Sequence, residues 1–218
     1  MQLNTVIFDM DGLLIDSEPL WQEAGQEALS QYDIQLTDEQ YHSSTGLRTP
    51  EWIDYWFSYF QVDKSRAAAA ITTIEDMALQ KINKYGIAMP GVEYILEFFQ
   101  KKNFKIGLAS SSPVRIIEMI VDKLSIRNNF DAITSAESLA FGKPHPQVFI
   151  NCAGQLGSAS NQCIVFEDSF NGMIAAKAAK MKCVVIPHQS VYEGSQWSVA
   201  DLKIDSLTFF TDEKLSAL

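Results

Sequence analysis

Five short runs of β-branched and apolar residues, at 5–8, 105–109, 132–134, 164–166 and 183–186, recur along the chain without in/out alternation. A strand with one wet face alternates, whereas a strand covered on both faces of a parallel sheet reads as a continuous apolar run. Helix-like stretches at 92–102, 114–124, 147–156 and 173–181 separate the later runs. Strand and helix in alternation predict a doubly wound α/β sheet.

One interval breaks that rhythm. From residue 15 to 85 there is helical periodicity and no convincing strand, so an all-helical module is expected to be inserted after the first strand. The sheet domain is then discontinuous, at 1–14 and 86–218, with a helical domain at 15–85. The insert has 5 basic against 12 acidic residues and holds three of the four tryptophans, Trp21, Trp52 and Trp56. Its edges carry punctuation: Asp16-Ser17-Glu18-Pro19 suits a helix start, while Gly86 and Pro90-Gly91 suit a stop and a turn.

The acidic excess of the whole chain, 27 Asp and Glu against 17 Lys and Arg, excludes partners that need a basic face, so neither nucleic acid nor an anionic membrane is expected. With 47% hydrophobic residues over 218 positions, the chain is long enough to bury roughly 70% of its unfolded surface. Three cysteines, Cys152, Cys163 and Cys183, form no C-x-x-C pair, and the first residues show no basic region before an apolar core. A reduced, cytoplasmic chain is the expectation, and a monomer the simplest state.

The first run ends in Asp9-Met10-Asp11-Gly12. Residues i and i+2 of a strand face the same way, so both carboxylates can enter one crevice at the strand's carboxyl end, where open α/β sheets bind ligands. Their repulsion requires a cation, a proton, or both. The same residues would also serve as a solvated turn. An EF-hand is excluded, because the glycine falls at the fourth position and Leu20 stands where the bidentate Glu belongs. A second pair, Glu167-Asp168, follows the run at 164–166. Hard oxygen donors from two such edges suit magnesium, which takes one or two carboxylates and keeps waters and a substrate phosphate. Asp168 or Ser169 would equally cap the following helix, and the two roles are compatible.

Ser110-Ser111-Ser112-Pro113 ends the run at 105–109 just before a helix, where hydroxyls and free N–H groups make either an anion site or an ordinary cap. Lys143 lies in Gly142-Lys143-Pro144-His145-Pro146, a stiff loop that holds its lysine in place. There is no G-x-G-x-x-G, G-x-x-x-x-G-K-[ST], G-x-S-x-G or H-E-x-x-H, so the usual nucleotide-dependent kinase and serine-hydrolase signatures are missing.

Read in order, Asp9-x-Asp11, Ser110, Lys143 and Glu167-Asp168 resemble the motifs of the haloacid dehalogenase-like superfamily of phosphotransferases, across essentially the whole chain. The insert after the first motif is similar to that of the branch containing β-phosphoglucomutase and small sugar-phosphate phosphatases. The resemblance implies a Rossmann-like core under a mobile helical cap. It implies magnesium-dependent hydrolysis of small phosphorylated metabolites, hexose phosphates first among them. By the same resemblance Asp9 is the nucleophile that becomes an aspartyl phosphate, and Asp11 is the general acid and base. Ser110 and Lys143 hold the phosphoryl oxygens, with Gly12, Ser111 and Ser112 lining the substrate. The metal falls to Asp9, Asp11 through its main-chain carbonyl, Asp168 and Glu167, the last directly or through water.

Thr45-Gly46-Leu47-Arg48 resembles the cap loop that closes over substrate, making Arg48 a candidate for a sugar hydroxyl or distal phosphate; beside Glu51 it would equally be a surface cation. Trp52, Tyr55, Trp56, Tyr59 and Phe60 form a helical stripe, expected mainly as core between helices. Two departures weaken the mutase alternative: Trp21 stands where β-phosphoglucomutases carry a histidine, and Thr45 where they carry a lysine. A dehalogenase would lack Asp11, and phosphonate hydrolysis would need a cap lysine that Lys64, Lys81 or Lys84 supplies only by coincidence. Outside catalysis, a receiver-like phospho-acceptor uses similar groups but carries no cap, and a sugar-phosphate binding protein would bind without turnover.

Overall fold

The computed structural model describes residues 2–218. Six parallel strands lie in the order β3-β2-β1-β4-β5-β6: β1 (Thr5–Phe8), β2 (Lys105–Ser110), β3 (Ala132–Ser135), β4 (Cys163–Glu167), β5 (Lys182–Val185) and β6 (Leu202–Lys203). The five expected strands are present, and β6 is an addition. It is two residues long, pairs only with β5 and has no run of its own to reveal it. β1 pairs with β2 on one side and β4 on the other, so the strand order reverses at its carboxyl end. That reversal opens the crevice in which such sheets bind ligands.

β1, β2, β4 and β5 are buried along nearly all their length because helices cover both faces, while the edge strand β3 alternates between buried and half-buried residues. Phe8 and Phe166, with ring centroids 5.1 Å apart, pack on one face against Phe99 of α5 (Val92–Lys101) and Phe210. α6 (Val114–Lys123) adds Ile116, Ile117, Ile120 and Val121 to this side, at the spacing of one helical stripe. On the other face Ile7 and Val165 meet Phe149 and Cys152 of α7 (Gln147–Gln155) and Met173 of α8 (Phe170–Ala178). α8 begins three residues before the expected 173, since Ser169 caps it by accepting from the Gly172 N–H at 3.0 Å. All three cysteines are free and buried.

Between β1 and α5 the chain is helical: α1 (Glu18–Ser30), α2 (Asp38–Ser43), α3 (Thr49–Tyr59) and α4 (Ala67–Tyr85). α1 and α3 pack on α4 around a separate apolar cluster that includes Leu29, Ile53, Trp56, Phe57 and Ile74. The aromatic stripe divides accordingly. Trp52 and Trp56 are buried, both donating to Ser44 Oγ, at 2.9 and 3.3 Å, while Tyr55 and Tyr59 face outward. The two chain crossings between sheet and insert lie side by side, with the Asp16 N–H on Ile87 O at 2.9 Å and the Met89 N–H on Leu14 O at 3.0 Å. Among the described residues no helix is long and apolar enough to cross a membrane. A short last helix, α9 (Asp212–Ser216), closes the chain.

Candidate active site

The carboxyl end of β1 delivers Asp9 into the crevice, its N–H bonded to Phe166 O of β4 at 3.0 Å. Lys143 reaches it from the loop before α7. This side chain is 1% exposed, and its Nζ donates to Asp9 Oδ1 at 2.5 Å, to Glu167 Oε1 at 2.6 Å and to Ala109 O at 3.3 Å. Burial works against the ammonium, but the two carboxylates outweigh it and hold Lys143 protonated well above its ordinary range. Glu167 is fully buried and fully used, since its Oε2 accepts from the Asp168 N–H, the Ser169 N–H and the Ser169 hydroxyl, each at 3.0 Å. It thus ties the start of α8 to Lys143. Gly172 makes room for it, because a Cβ there would collide with the Glu167 carboxylate.

Asp168 points the other way, toward β1. A Cβ on Gly12, whose φ is +71°, would strike Asp168 Oδ2, so the turn after Asp11 has to be glycine on both counts. Asp9, Glu167 and Asp168 each offer a carboxylate oxygen within 4.8 Å of the others. Burial first, and then the neighbouring carboxylates, push Asp168 upward; burial pushes Asp9 up to about 8 despite Lys143. One ammonium therefore faces more buried negative charge than it can neutralise. That imbalance and the all-oxygen donor set fit a hard divalent cation such as magnesium.

Asp11 is held differently. Its Oδ1 accepts from Ser17 Oγ at 2.7 Å and from Trp21 Nε1 at 2.9 Å; its Oδ2 accepts from Ser112 Oγ at 2.7 Å and from Ser110 Oγ at 3.5 Å. Ser17 occupies the N-cap position of α1 but makes no side-chain cap, because its hydroxyl has gone to Asp11. Donors from the insert and from the end of β2 thus fix one carboxylate between them. Ser111 instead bonds Gly46 O at 2.8 Å, and Asn171 of α8 bonds Thr45 O at 2.8 Å, so the sheet side grips the 45–46 loop.

Arg48 stands apart from the carboxylates. Its guanidinium donates to the carbonyls of Ala136 and Leu139, at 3.0 and 2.6 Å, and pairs with Glu51 at 2.7 Å, while Glu51 accepts from the Gly142 N–H at 2.8 Å. The side chain expected as a substrate ligand is spent on joining insert and sheet beside the Lys143 loop. The structure adds three groups that sequence reasoning had not placed in the site. Glu18, Trp21 and Tyr41 all line the cleft. Glu18 had looked like helix-start punctuation. Burial, and then Asp11 and Asp9, push its carboxyl up to about 8, and Tyr41 OH lies 3.5 Å from Glu18 Oε2.

The sequence matches the haloacid dehalogenase-like hydrolase family over residues 6–186. It is 35% identical over 215 residues to hexitol phosphatase B of Escherichia coli strain K12, covering 98% of this chain and 97% of that one. Fructose-1-phosphate phosphatase YqaB of the same strain is 30% identical over 182 residues, 82% and 94% of the two chains. Among solved structures, β-phosphoglucomutase from Clostridium difficile superposes with a TM-score of 0.87, covering 99% of this chain and 96% of its own at 24% identity, and so shares the fold.

Proposed function

The chain belongs to the haloacid dehalogenase-like hydrolase family, and we propose that within it this protein is a magnesium-dependent phosphatase of small phosphorylated carbohydrates, hexose or hexitol phosphates, working through an aspartyl phosphate on Asp9. The observation that carries the reading is the juxtaposition of two carboxylates in opposite surroundings at the sheet's reversal point. Asp9 is tied to a buried ammonium, and Asp11 is ringed by hydroxyl and indole donors. The curated relatives named as hexitol and fructose-1-phosphate phosphatases support the substrate class. We assign residues 15–85 as the cap over a core of 1–14 and 86–218.

Asp9 would attack phosphorus as the carboxylate while Asp11 gives a proton to the departing alkoxide, releasing the alcohol. Asp11 would then take a proton from water as that water attacks the acyl phosphate, freeing inorganic phosphate and restoring Asp9. Lys143 opposes the burial that raises Asp9 and balances charge on the phosphoryl oxygens, with Ser110 and the backbone at the start of α6 positioned beside it. Magnesium, when bound by Asp9, Asp168 and the Asp11 carbonyl with Glu167 behind them, supplies positive charge that lets anionic nucleophile and anionic substrate approach.

A mutase has to hold a second phosphate while the sugar reorients. Lys143 is the one basic residue among those lining the cleft, and Trp21, at the position a histidine takes in β-phosphoglucomutases, donates to Asp11 instead. Water is therefore expected to take the phosphoryl group. The test supplies β-glucose 1-phosphate with a glucose 1,6-bisphosphate primer, and separately hexose and hexitol 6-phosphates, and follows glucose 6-phosphate and free phosphate. Phosphate release from the 6-phosphates, lost by at least about 10³-fold in Asp9→Asn, is the expected result. Isomerisation outpacing release would establish the mutase, a stable phosphoenzyme without release a phospho-acceptor, and binding without either a sugar-phosphate binding protein.

A further inference from the structure

Around the cleft the charges are unevenly divided. Asp9, Asp11, Glu18 and Asp168 line it against Lys143 alone, and Lys143 is already committed to Asp9 and Glu167. Arg48, next along the chain from the lining residue Leu47, turns its guanidinium onto main-chain carbonyls and Glu51. The polar part of the wall contributed by the insert is indole, phenol, hydroxyl and carboxyl, from Trp21, Trp52, Tyr41, Thr45, Thr49 and Glu18, beside the apolar Leu47 and Ile74, and it holds no basic side chain. Glu18 stands where the phosphoryl end gives way to that wall. Its Cγ lies 3.0 Å from the position of a Cβ on Gly12, and the Tyr41 hydroxyl rests over it, 3.4 Å from its carbonyl and 3.5 Å from its carboxylate. An acidic residue in the first turn favours a helix start from the outside as well, so capping alone does not account for a side chain lining the cleft.

We infer that the cleft selects its substrate by charge, accepting phosphomonoesters whose alcohol part is neutral and rich in hydroxyls and rejecting those with a second anion, and that Glu18, steadied by Tyr41, is the specificity-determining residue. The inference rests on the phosphatase reading above. A hydroxyl both donates and accepts, so it can pair with the carboxyl of Glu18 and the phenol of Tyr41 in either sense. A carboxylate or distal phosphate in the same space loses its water, meets acidic neighbours and finds no uncommitted cation on the wall.

Sorbitol 6-phosphate and 6-phosphogluconate form a matched pair, with the same six-carbon chain and phosphate but an alcohol against a carboxylate at C1. Phosphate release with magnesium at pH 9, above the value of about 8 to which Glu18 is raised, is expected to give kcat/KM at least about thirtyfold higher for the alcohol, the scale of an uncompensated like-charge contact. Glu18→Gln is expected to shrink that ratio about tenfold, and Thr49→Lys, which sets a cation on the wall, to shrink it as well. If Glu18→Gln does not fold, the wild-type ratio and Thr49→Lys still decide. A wild-type ratio within threefold overturns the charge selection while leaving the phosphatase reading intact. A ratio that moves with Thr49→Lys but not with Glu18→Gln overturns the role of Glu18. Release from neither compound, nor from any other phosphomonoester, refutes the phosphatase reading itself.

Discussion

Replacing Lys143 by methionine keeps most of the side chain's length and removes only its charge. The wild-type ammonium is 1% exposed and lies within 2.6 Å of two buried carboxylates, Asp9 and Glu167. Removing one partner of a buried ion pair costs about 3–5 kcal/mol, because the remaining charge is left without water or counter-ion. Here one substitution orphans two carboxylates, so the upper end applies. For a domain of this size about 2–4 °C of Tm accompanies each kcal/mol, giving a fall of roughly 10–20 °C.

The deficit should depend on pH with a definite sign. Asp9 sits at about 8 in the folded protein even beside Lys143, far above its unfolded value of about 4, and loss of the ammonium raises it further. Between about 8 and that higher value the folded variant holds a proton that the folded wild type has released, so the deficit grows as pH rises past 8. Calorimetry of both proteins at pH 9.5 and pH 7 should show the larger deficit of Lys143→Met at pH 9.5. Millimolar magnesium should restore part of it by supplying the missing positive charge. A Tm within 3 °C of wild type at pH 9.5, or a greater deficit at pH 7, would refute the claim that this lysine balances buried carboxylates.

The two members of the Glu167-Asp168 pair should separate. Asp168→Asn is expected to raise the magnesium concentration for half-maximal activity at least about tenfold with little change in Tm, whereas Glu167→Gln, which loosens Lys143 and the start of α8, is expected to lower Tm by several degrees; a magnesium titration and a thermal scan of both variants check this. His42 of α2 stacks on His188 of the sheet side, with ring centroids 5.6 Å apart and Ser190 bonded to both. Burial first, and then His188, lower the His42 pKa, with Asp38 opposing. A histidine depressed in the folded state contributes stability above its unfolded pKa of about 6.5 and loses it as pH falls below, so this contact between insert and sheet should loosen in mild acid. Amide exchange at residues 186–191, compared between pH 7.5 and 5.5, should show that loosening in wild type and not in His42→Asn.

The sheet was legible because strands covered on both faces cannot alternate, and β1, β2, β4 and β5 are buried in unbroken runs; only the edge strand β3 alternates. The acidic groups stood out because the end of a buried strand admits few polar residues without a task, and Lys143 because glycine and two prolines stiffen the loop that carries it. β6 escaped notice because two residues carry no pattern. Glu18, Trp21 and Tyr41 escaped because they lie on amphipathic helices, where an acid in the first turn reads as a helix start and an aromatic as core. Arg48 looked free beside Glu51, since its carbonyl partners lie about ninety residues away along the chain and only folding brings them together.

The paired crossings at Ile15 and Ala88 have a mechanical consequence. Two covalent links joined by a β-bridge act as one axle, so the insert can swing about it but cannot slide across the sheet. Displacement under such a swing grows with distance from the axle. In such a swing Ser17, two residues from Ile15, would travel least and hold its hydroxyl on Asp11 longest. Arg48 and His42, whose partners lie on loops away from the crossings, would travel further and part first. The geometry thus ties the hydrogen bonds around Asp11 to the part of the insert that any such rotation would disturb least.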